Sequence, residues 1–337
     1  MVLVALVLGG RPLGPACRGG PARAAGGRVA GGAVIRELRR EDAAAVAALH
    51  LAVNPHQLET PERVWFWASR GLEREQWRQW VAEADEEIVG SAWAGFEWSV
   101  PTPGKGRFWV AVSPERRGRG IGGTLYGFVA EYLRRRGAWR ARTNVDADPA
   151  GERFVAKRGF ERRGADRVSA FDVRRAELPE LSLPAGFRVE PLGCVRDRVE
   201  ELFAICAAGE LDMPGDEPET AFTLEDWKLD DFGVPDLSDE GSFVVLDDER
   251  AVSLALLCVD PGRSLAYNQM TATLPEFRRR GLALAAKLAA VRWAAANGFE
   301  RILTENDEAN AGMLAINRRL GYRPLYDQTK WVLEPLL

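Results

Sequence analysis

Phe108-Trp-Val-Ala-Val-Ser-Pro114-Glu115-Arg-Arg117-Gly118-Arg-Gly120-Ile-Gly122 decides the fold, because the chain repeats it 161 positions later. The second copy is Gln269-Met-Thr-Ala-Thr-Leu-Pro275-Glu276-Phe-Arg278-Arg279-Arg280-Gly281-Leu-Ala283. Each copy is an apolar or β-branched run that stops at Pro-Glu, crosses a basic turn containing glycine, and enters an Ala/Leu-rich helical pattern. That is a strand, a turn and a helix N-terminus, made twice. Glycines without a Cβ let backbone N–H groups converge on an anion, and the helix adds the positive end of its dipole. Arginines 117 and 119, or 278 to 280, can add charge-assisted bonds, so the unit points to a phosphate-bearing ligand.

A second pair of segments follows in the same register. Arg140-Ala-Arg-Thr143-Asn144, then Asp148 to Phe160, matches Ile302-Leu-Thr304-Glu305-Asn306, then Asn310 to Tyr322, at an offset of 162. A loop absorbs the one-residue difference. On these residues each half resembles a GCN5-related N-acetyltransferase (GNAT) domain, the family that moves acyl groups from acyl-coenzyme A. The resemblance implies an α/β fold with a mixed sheet in two tandem domains, 33–178 and 185–337, behind an extension at 1–32. It implies acetyl-coenzyme A as donor, its pyrophosphate held by Arg117, Gly118, Gly120 and Gly122, or by Arg278, Arg279, Gly281 and Ala283. The thioester would meet backbone N–H groups around Val110 and Val112, or Thr271 and Thr273. Asn144, Asn306, Asn310 and Asn317 carry amides suited to the pantetheine arm. Two loops in register predict more than one coenzyme A site per chain.

Length and composition fit two ordinary globular domains: 337 residues, 46% hydrophobic and 28% charged. Cys17, Cys194, Cys206 and Cys258 form no CxxC pair, so they read as buried thiols in a reducing, cytoplasmic setting, with no metal. No apolar run is long enough to span a membrane. Residues 1–32 hold nine Gly, four Arg and no acid, and read as a disordered or dispensable tail. Without those arginines the formal net charge falls from −4 to −8, which argues against a nucleic-acid surface.

The periodicity predicts a strand at 34–38, a helix from Glu41 to Val53 capped by Asp42, and a Trp-rich helical stretch from Pro61 to Val81. Strands at 87–92, 94–100 and 108–112 precede a helix from Gly122 to Arg136 whose inner face is Leu125, Phe128, Val129 and Tyr132. The second half repeats the order: strand 187–190, helix 195–208, strands 242–246, 251–259 and 265–273. Its helix 283–297 should turn Leu284, Leu288, Val291 and Ala295 inward. Gly209 to Gly241 breaks the repeat, with twelve acids against Lys228. In the family this region covers the acceptor cleft, so a cationic acceptor would be favoured if it does so here; a solvated acidic loop is the alternative.

Acyl transfer needs a free amine, and a lysine-like amine is neutral in only about one molecule in a few thousand at pH 7. A base must therefore take a proton. Glu305 is the candidate in the second half, with Glu97 and Asp146 as first-half counterparts. The resemblance places a tyrosine acid four residues before the Gly of the second motif; this chain has Val155 and Asn317 there. Val155 cannot donate a proton, which puts catalysis in the second half, on Glu305 and Asn317. His50 and His56 read as a polar helix end, and Trp65, Trp67, Trp77 and Trp80 as packing or an aromatic wall. The function implied is N-acetylation of a small-molecule amine by direct transfer in a ternary complex. The competing reading is a coenzyme A-binding sensor or structural module with silent halves.

Overall fold

The computed structural model describes residues 32–336 apart from 176, 177, 179, 181, 216, 217, 219, 221 and 222. The tail expectation therefore lies outside the described residues, save for Gly32. The first half runs β1 (Val34–Glu37), α1 (Ala43–Val53), α2 (Pro61–Ser69), β2 (Arg78–Ala84), β3 (Glu87–Phe96), β4 (Lys105–Val112), α3 (Ile121–Arg135), β5 (Arg140–Asp146), α4 (Pro149–Ala156) and β6 (Glu161–Asp172). The second runs β7 (Phe187–Pro191), α5 (Val199–Glu210), α6 (Leu224–Asp230), β8 (Phe243–Asp247), β9 (Arg250–Asp260), β10 (Leu265–Thr273), α7 (Leu282–Ala296), β11 (Arg301–Asp307), α8 (Ala311–Leu320) and β12 (Arg323–Leu333).

All twelve strands lie in one sheet, ordered β1-β2-β3-β4-β5-β12-β6-β11-β10-β9-β8-β7. The order shows an exchange at the centre. The last strand of the second half, β12, pairs antiparallel with β5 of the first, and β6 of the first pairs antiparallel with β11 of the second. β12 and β6 then pair with each other. Each half thus receives its final strand from the other.

Within each half the parallel pair opens like a V. β4 and β5 are in register only over Lys105–Arg107 and Arg140–Arg142, and β10 and β11 only over Leu265–Tyr267 and Arg301–Leu303. Beyond these residues the facing edges of β4 and β10 have lost their parallel partner. The core sits on the α3/α7 face: Leu125, Val129 and Leu133 of α3 pack with Phe108 and Ala141, and Leu288, Val291 and Ala294 of α7 with Ala266 and Ile302. Full burial of each large aliphatic side chain is worth roughly 1.5–3 kcal/mol.

Several local expectations change. The helix begun at Pro61 ends at Ser69, Gly71 turns the chain at φ +75°, and Trp80 lies on β2 rather than on a helix. The pattern misled because tryptophans at helical spacing there serve two elements. β3 is one strand through Trp93, held straight by its pairing with Trp109. Asp42 does not cap α1; its carboxylate accepts from the Arg36 guanidinium at 2.6 and 2.7 Å and from the Arg39 N–H at 2.7 Å. Ala294, not Ala295, faces the core of α7, and Cys194 is exposed while Cys206 and Cys258 are buried.

Candidate active site

The two basic turns have the same backbone. Pro114–Arg116 and Pro275–Phe277 are 3-10 turns, and the residues that follow take left-handed φ in pairs: Gly118 at +77° with Arg279 at +62°, and Gly120 at +85° with Gly281 at +81°. The Nε of Arg117 donates to the Val112 carbonyl at 3.3 Å, and that of Arg278 to the Thr273 carbonyl at 3.1 Å. Left-handed φ at the N-cap turns the first helical amides outward, and those amides have no helical acceptor.

Strand polarity fixes which amides face the gap. The Ser113 N–H bonds to Val89 and the Glu97 N–H to the Lys105 carbonyl, so odd-numbered residues of β4 address β3. Val110 and Val112 therefore turn their N–H groups toward the opened side, the geometry an oxyanion would need. In the same way Leu274 bonds to Val252, leaving Thr271 and Thr273 to face the β11 side.

Around these shared frames the halves differ. In the first half a cavity of about 410 Å³ runs from Arg117, Gly118, Gly120 and Gly122 along Val110 and Val112 to Asn144 and Asp146. This is the path a diphosphate followed by a pantetheine arm would take. A Cβ at Gly122 would sit 3.4 Å from Val112 and 3.5 Å from Phe154, ordinary contact, so the bare glycine widens the entrance. Arg117 pairs with Asp148 at 3.1 Å beside it.

A second cavity, about 370 Å³, opens on the α1/α2 side and is walled by Trp67, Trp77, Trp93 and Trp109. Trp77 and Trp93 stack at 4.4 Å. The two cavities share Phe108, Trp109, Thr143, Asn144 and Asp146, so they meet where β4 and β5 part. The exchanged strand completes this junction: Asn144 Nδ2 donates to Gln328 Oε1 at 2.6 Å, and Gln328 bonds in turn to Asp146. Gln57 Nε2 reaches the other Asp146 oxygen at 3.1 Å. Glu97, the other first-half acid, is tied to Arg142 at 3.1 Å.

The second half closes the corresponding space with its own side chains. Lys287 of α7, 1% exposed, donates from Nζ to Asn317 Oδ1 at 2.5 Å, and Asn317 Nδ2 donates to Asn306 Oδ1 at 2.6 Å. The Nζ also lies 4.8 Å from the centre of the Tyr322 ring. Burial pushes the Lys287 amine down to about 7. Asn310 is an N-cap, its Oδ1 accepting from the Met313 N–H at 3.1 Å. Arg278 is held by Asp212 at 2.7 Å and by the Ala208 carbonyl, and α5 lies so close to β10 that a Cβ on Gly209 would come within 2.8 Å of Ala272.

Asn317 and Glu305 both lie in buried polar surroundings. Asn317 is 2% exposed, and each end of its amide makes one hydrogen bond. Glu305 is raised to about 8 by burial and then by Asp166 and Asp146 of the first half. Lys330 of β12 sits in the same patch, 2.6 Å from Asp166 and 2.7 Å from Asp307.

Among its described residues, three acids of the segment pair with arginines of the first half. Asp236 binds Arg63 of α2 at 2.7 Å, Asp226 pairs with Arg74, and Asp230 pairs with Arg70 and lines the tryptophan cavity. Sequence reading missed Gln328 and Asp230, whose contacts cross between the halves, and the Arg70–Glu75–Arg107 cluster, which forms within the first half. Among the described residues no group of His, Cys, Asp and Glu could hold a metal, and no helix is long and apolar enough to cross a membrane.

The acetyltransferase (GNAT) family model matches residues 47–160 and 200–322. Among solved structures, a tandem GNAT protein from the clavulanic acid biosynthesis pathway is 19% identical, with TM-score 0.67 over 89% of this chain and 98% of its own. A GCN5-related N-acetyltransferase from Sphaerobacter thermophilus is 18% identical, with TM-score 0.63 over 90% and 95%. At such identities the likeness concerns the fold. No curated protein matches the sequence.

Proposed function

The chain belongs to the acetyltransferase (GNAT) family, and from that premise we propose that it acetylates the amine of a small molecule from acetyl-coenzyme A in its first half. The observation that carries this reading is the junction of two cavities at Trp109, Asn144 and Asp146. One cavity leads from the phosphate-cradling loop, the other from an aromatic chamber, and they meet beside the amides of Val110 and Val112. A donor and an acceptor entering from opposite faces of the sheet would be held together there, which favours direct transfer in a ternary complex. Arg117 and the amides after Gly120 would hold the diphosphate, and Val110 and Val112 would polarise the thioester carbonyl.

The second half, in this reading, keeps the loop as architecture and gives up the site. Its Lys287–Asn317–Asn306 chain supports that assignment, as does the α5 helix lying on β10. Calorimetric titration with acetyl-coenzyme A is then expected to give one site per chain rather than two. Gly120→Glu combines a strained left-handed residue with a like charge against phosphate, and should weaken binding by about 100-fold or more. Ala283→Glu should leave it unchanged. Thiol release with a panel of amines tests turnover. Binding without release for every amine would favour a coenzyme A sensor, and a second site of equal affinity would return the second half to the reaction.

A further inference from the structure

The acceptor chamber is lined by one buried histidine. His50, near the end of α1, is 5% exposed and lines the chamber, and its Nε2 is buried with no hydrogen-bond partner. Its Nδ1 lies 2.6 Å from Glu59 Oε1. A carboxylate there accepts from Nδ1–H, and in the neutral imidazole of that tautomer Nε2 carries the lone pair. The ring meets the face of Trp109 edge-on, with centroids 4.7 Å apart at 89°, which fixes its plane at a residue both cavities share.

We propose that His50 is the general base for acyl transfer in the first half and that Glu59 is its positioning residue; this rests on the reading of that half as the reactive one. The other acids near the chamber each lie against an amide or a guanidinium. Asp146 has both oxygens bonded to glutamines, Glu97 is held by Arg142, Asp230 by Arg70, and Glu75 by Arg70 and Arg107. The charged groups that face the ring from the chamber walls are Glu59 before α2, Arg70 after it, Arg107 on β4, Arg142 and Asp146 on β5, and Asp230 on α6.

The step balances without a further reactant. Nε2 takes one proton from the bound ammonium, and the freed lone pair forms the C–N bond at the acyl carbon. The C–S bond breaks with its electron pair leaving on sulfur, which gains the second nitrogen proton directly or through water. The imidazolium then releases its proton to solvent, so one proton is released per amide formed.

The chain has only two histidines, which makes the test clean. In a His56→Gln background, 15N-histidine NMR without any acyl donor should show Nδ1 protonated and Nε2 bare, with Nε2 responding when the amine best acetylated by the wild type is added. Glu59→Gln should mix the two tautomers, and Glu59→Asp should restore much of the wild-type spectrum. His50→Gln should lower kcat by about 10²–10⁴-fold. Its titrated affinity for acetyl-coenzyme A should not change, and its residual rate should climb steadily with pH as free amine accumulates. If His50→Gln fails to fold, the tautomer of the folded protein and the Glu59→Gln kinetics decide. A proton on Nε2, or a His50→Gln variant running near the wild-type rate, overturns the proposal. A wild type that binds the donor but acetylates no amine overturns the first-half reading itself and His50's role with it.

Discussion

The two halves share a loop with the same pair of left-handed φ values and differ in what stands behind it. At the offsets of the repeat, Tyr126 of α3 corresponds to Lys287 of α7, and Val155 to Asn317. In the first half Tyr126 packs among Phe108, Phe154 and Phe160, leaving the gap between β4 and β5 open to a ligand. In the second half, an ammonium and two amides satisfy one another where that gap would begin. A buried polar chain of this kind is stabilised by its mutual bonds. Backbone geometry therefore says where an anion loop was built, and the side chains behind it say whether a cavity remains.

The strand exchange offers the most severe way to break this comparison. If β12 completes the first half and β6 the second, neither half is a folding unit. Removing residues 323–337 would expose the ladder edges of β5 and β6 and take away Val332 and Leu336 from the cores. Loss of soluble protein is expected for that truncation, and for 33–178 or 185–337 expressed alone, with recovery when the two pieces are expressed together. The intact chain should melt in a single transition by calorimetry and by tryptophan fluorescence. Two separated transitions would show halves that fold independently despite the shared sheet.

Much of the fold was legible because its signals are local. The strand, Pro-Glu turn and glycine-capped helix are contiguous, so both copies are placed within one or two residues of where they lie. The Trp-rich segment was not legible, since Trp77 and Trp80 belong to the approach and body of a strand. The site was legible only on its donor side. Arg117, Gly120, Gly122, Val110, Val112 and Asn144 all line one cavity, as the resemblance implies. The tryptophan-walled cavity draws on Gln328, Asp230 and Arg70, brought together across about three quarters of the chain, and no spacing rule reaches that far. Lys287 left one trace: a single cation among Leu284, Leu288 and Val291 on the apolar face of an alanine-rich helix.

That lysine gives a smaller and more quantitative test. Its amine is lowered to about 7 from the ordinary 10.5 by burial, so between those values the unfolded chain binds a proton that the folded chain does not. Stability must then rise with pH across this window, by up to about 1.4 kcal/mol per pH unit from this group, and the gain is complete above the ordinary lysine value. Denaturant unfolding of the wild type at several pH values from 7 to 10 should show the slope, and Lys287→Met should lack it. An identical slope in both would mean that the ammonium stays charged in the folded protein, with the second-half space open to water.

The smallest expected effect concerns the wall that the second half contributes to the first. Asp230 lies at the end of α6 within the acidic segment, pairs with Arg70 and borders the chamber. Arg70 keeps a second carboxylate in Glu75 and stacks 4.2 Å from the Trp67 ring, so Asp230→Asn should leave its position intact. What changes is one negative charge beside the acceptor path. A partly exposed charge of this kind is worth of order 1 kcal/mol or less, which sets a rise in KM of about two- to fivefold for a cationic amine. A neutral amine should show less change, and kcat should hold for both, the signature of lost ground-state binding. Equal shifts for the two amines would mean that Asp230 shapes the wall without sensing charge, and the acidic segment would then owe its composition to the arginines of α2 alone.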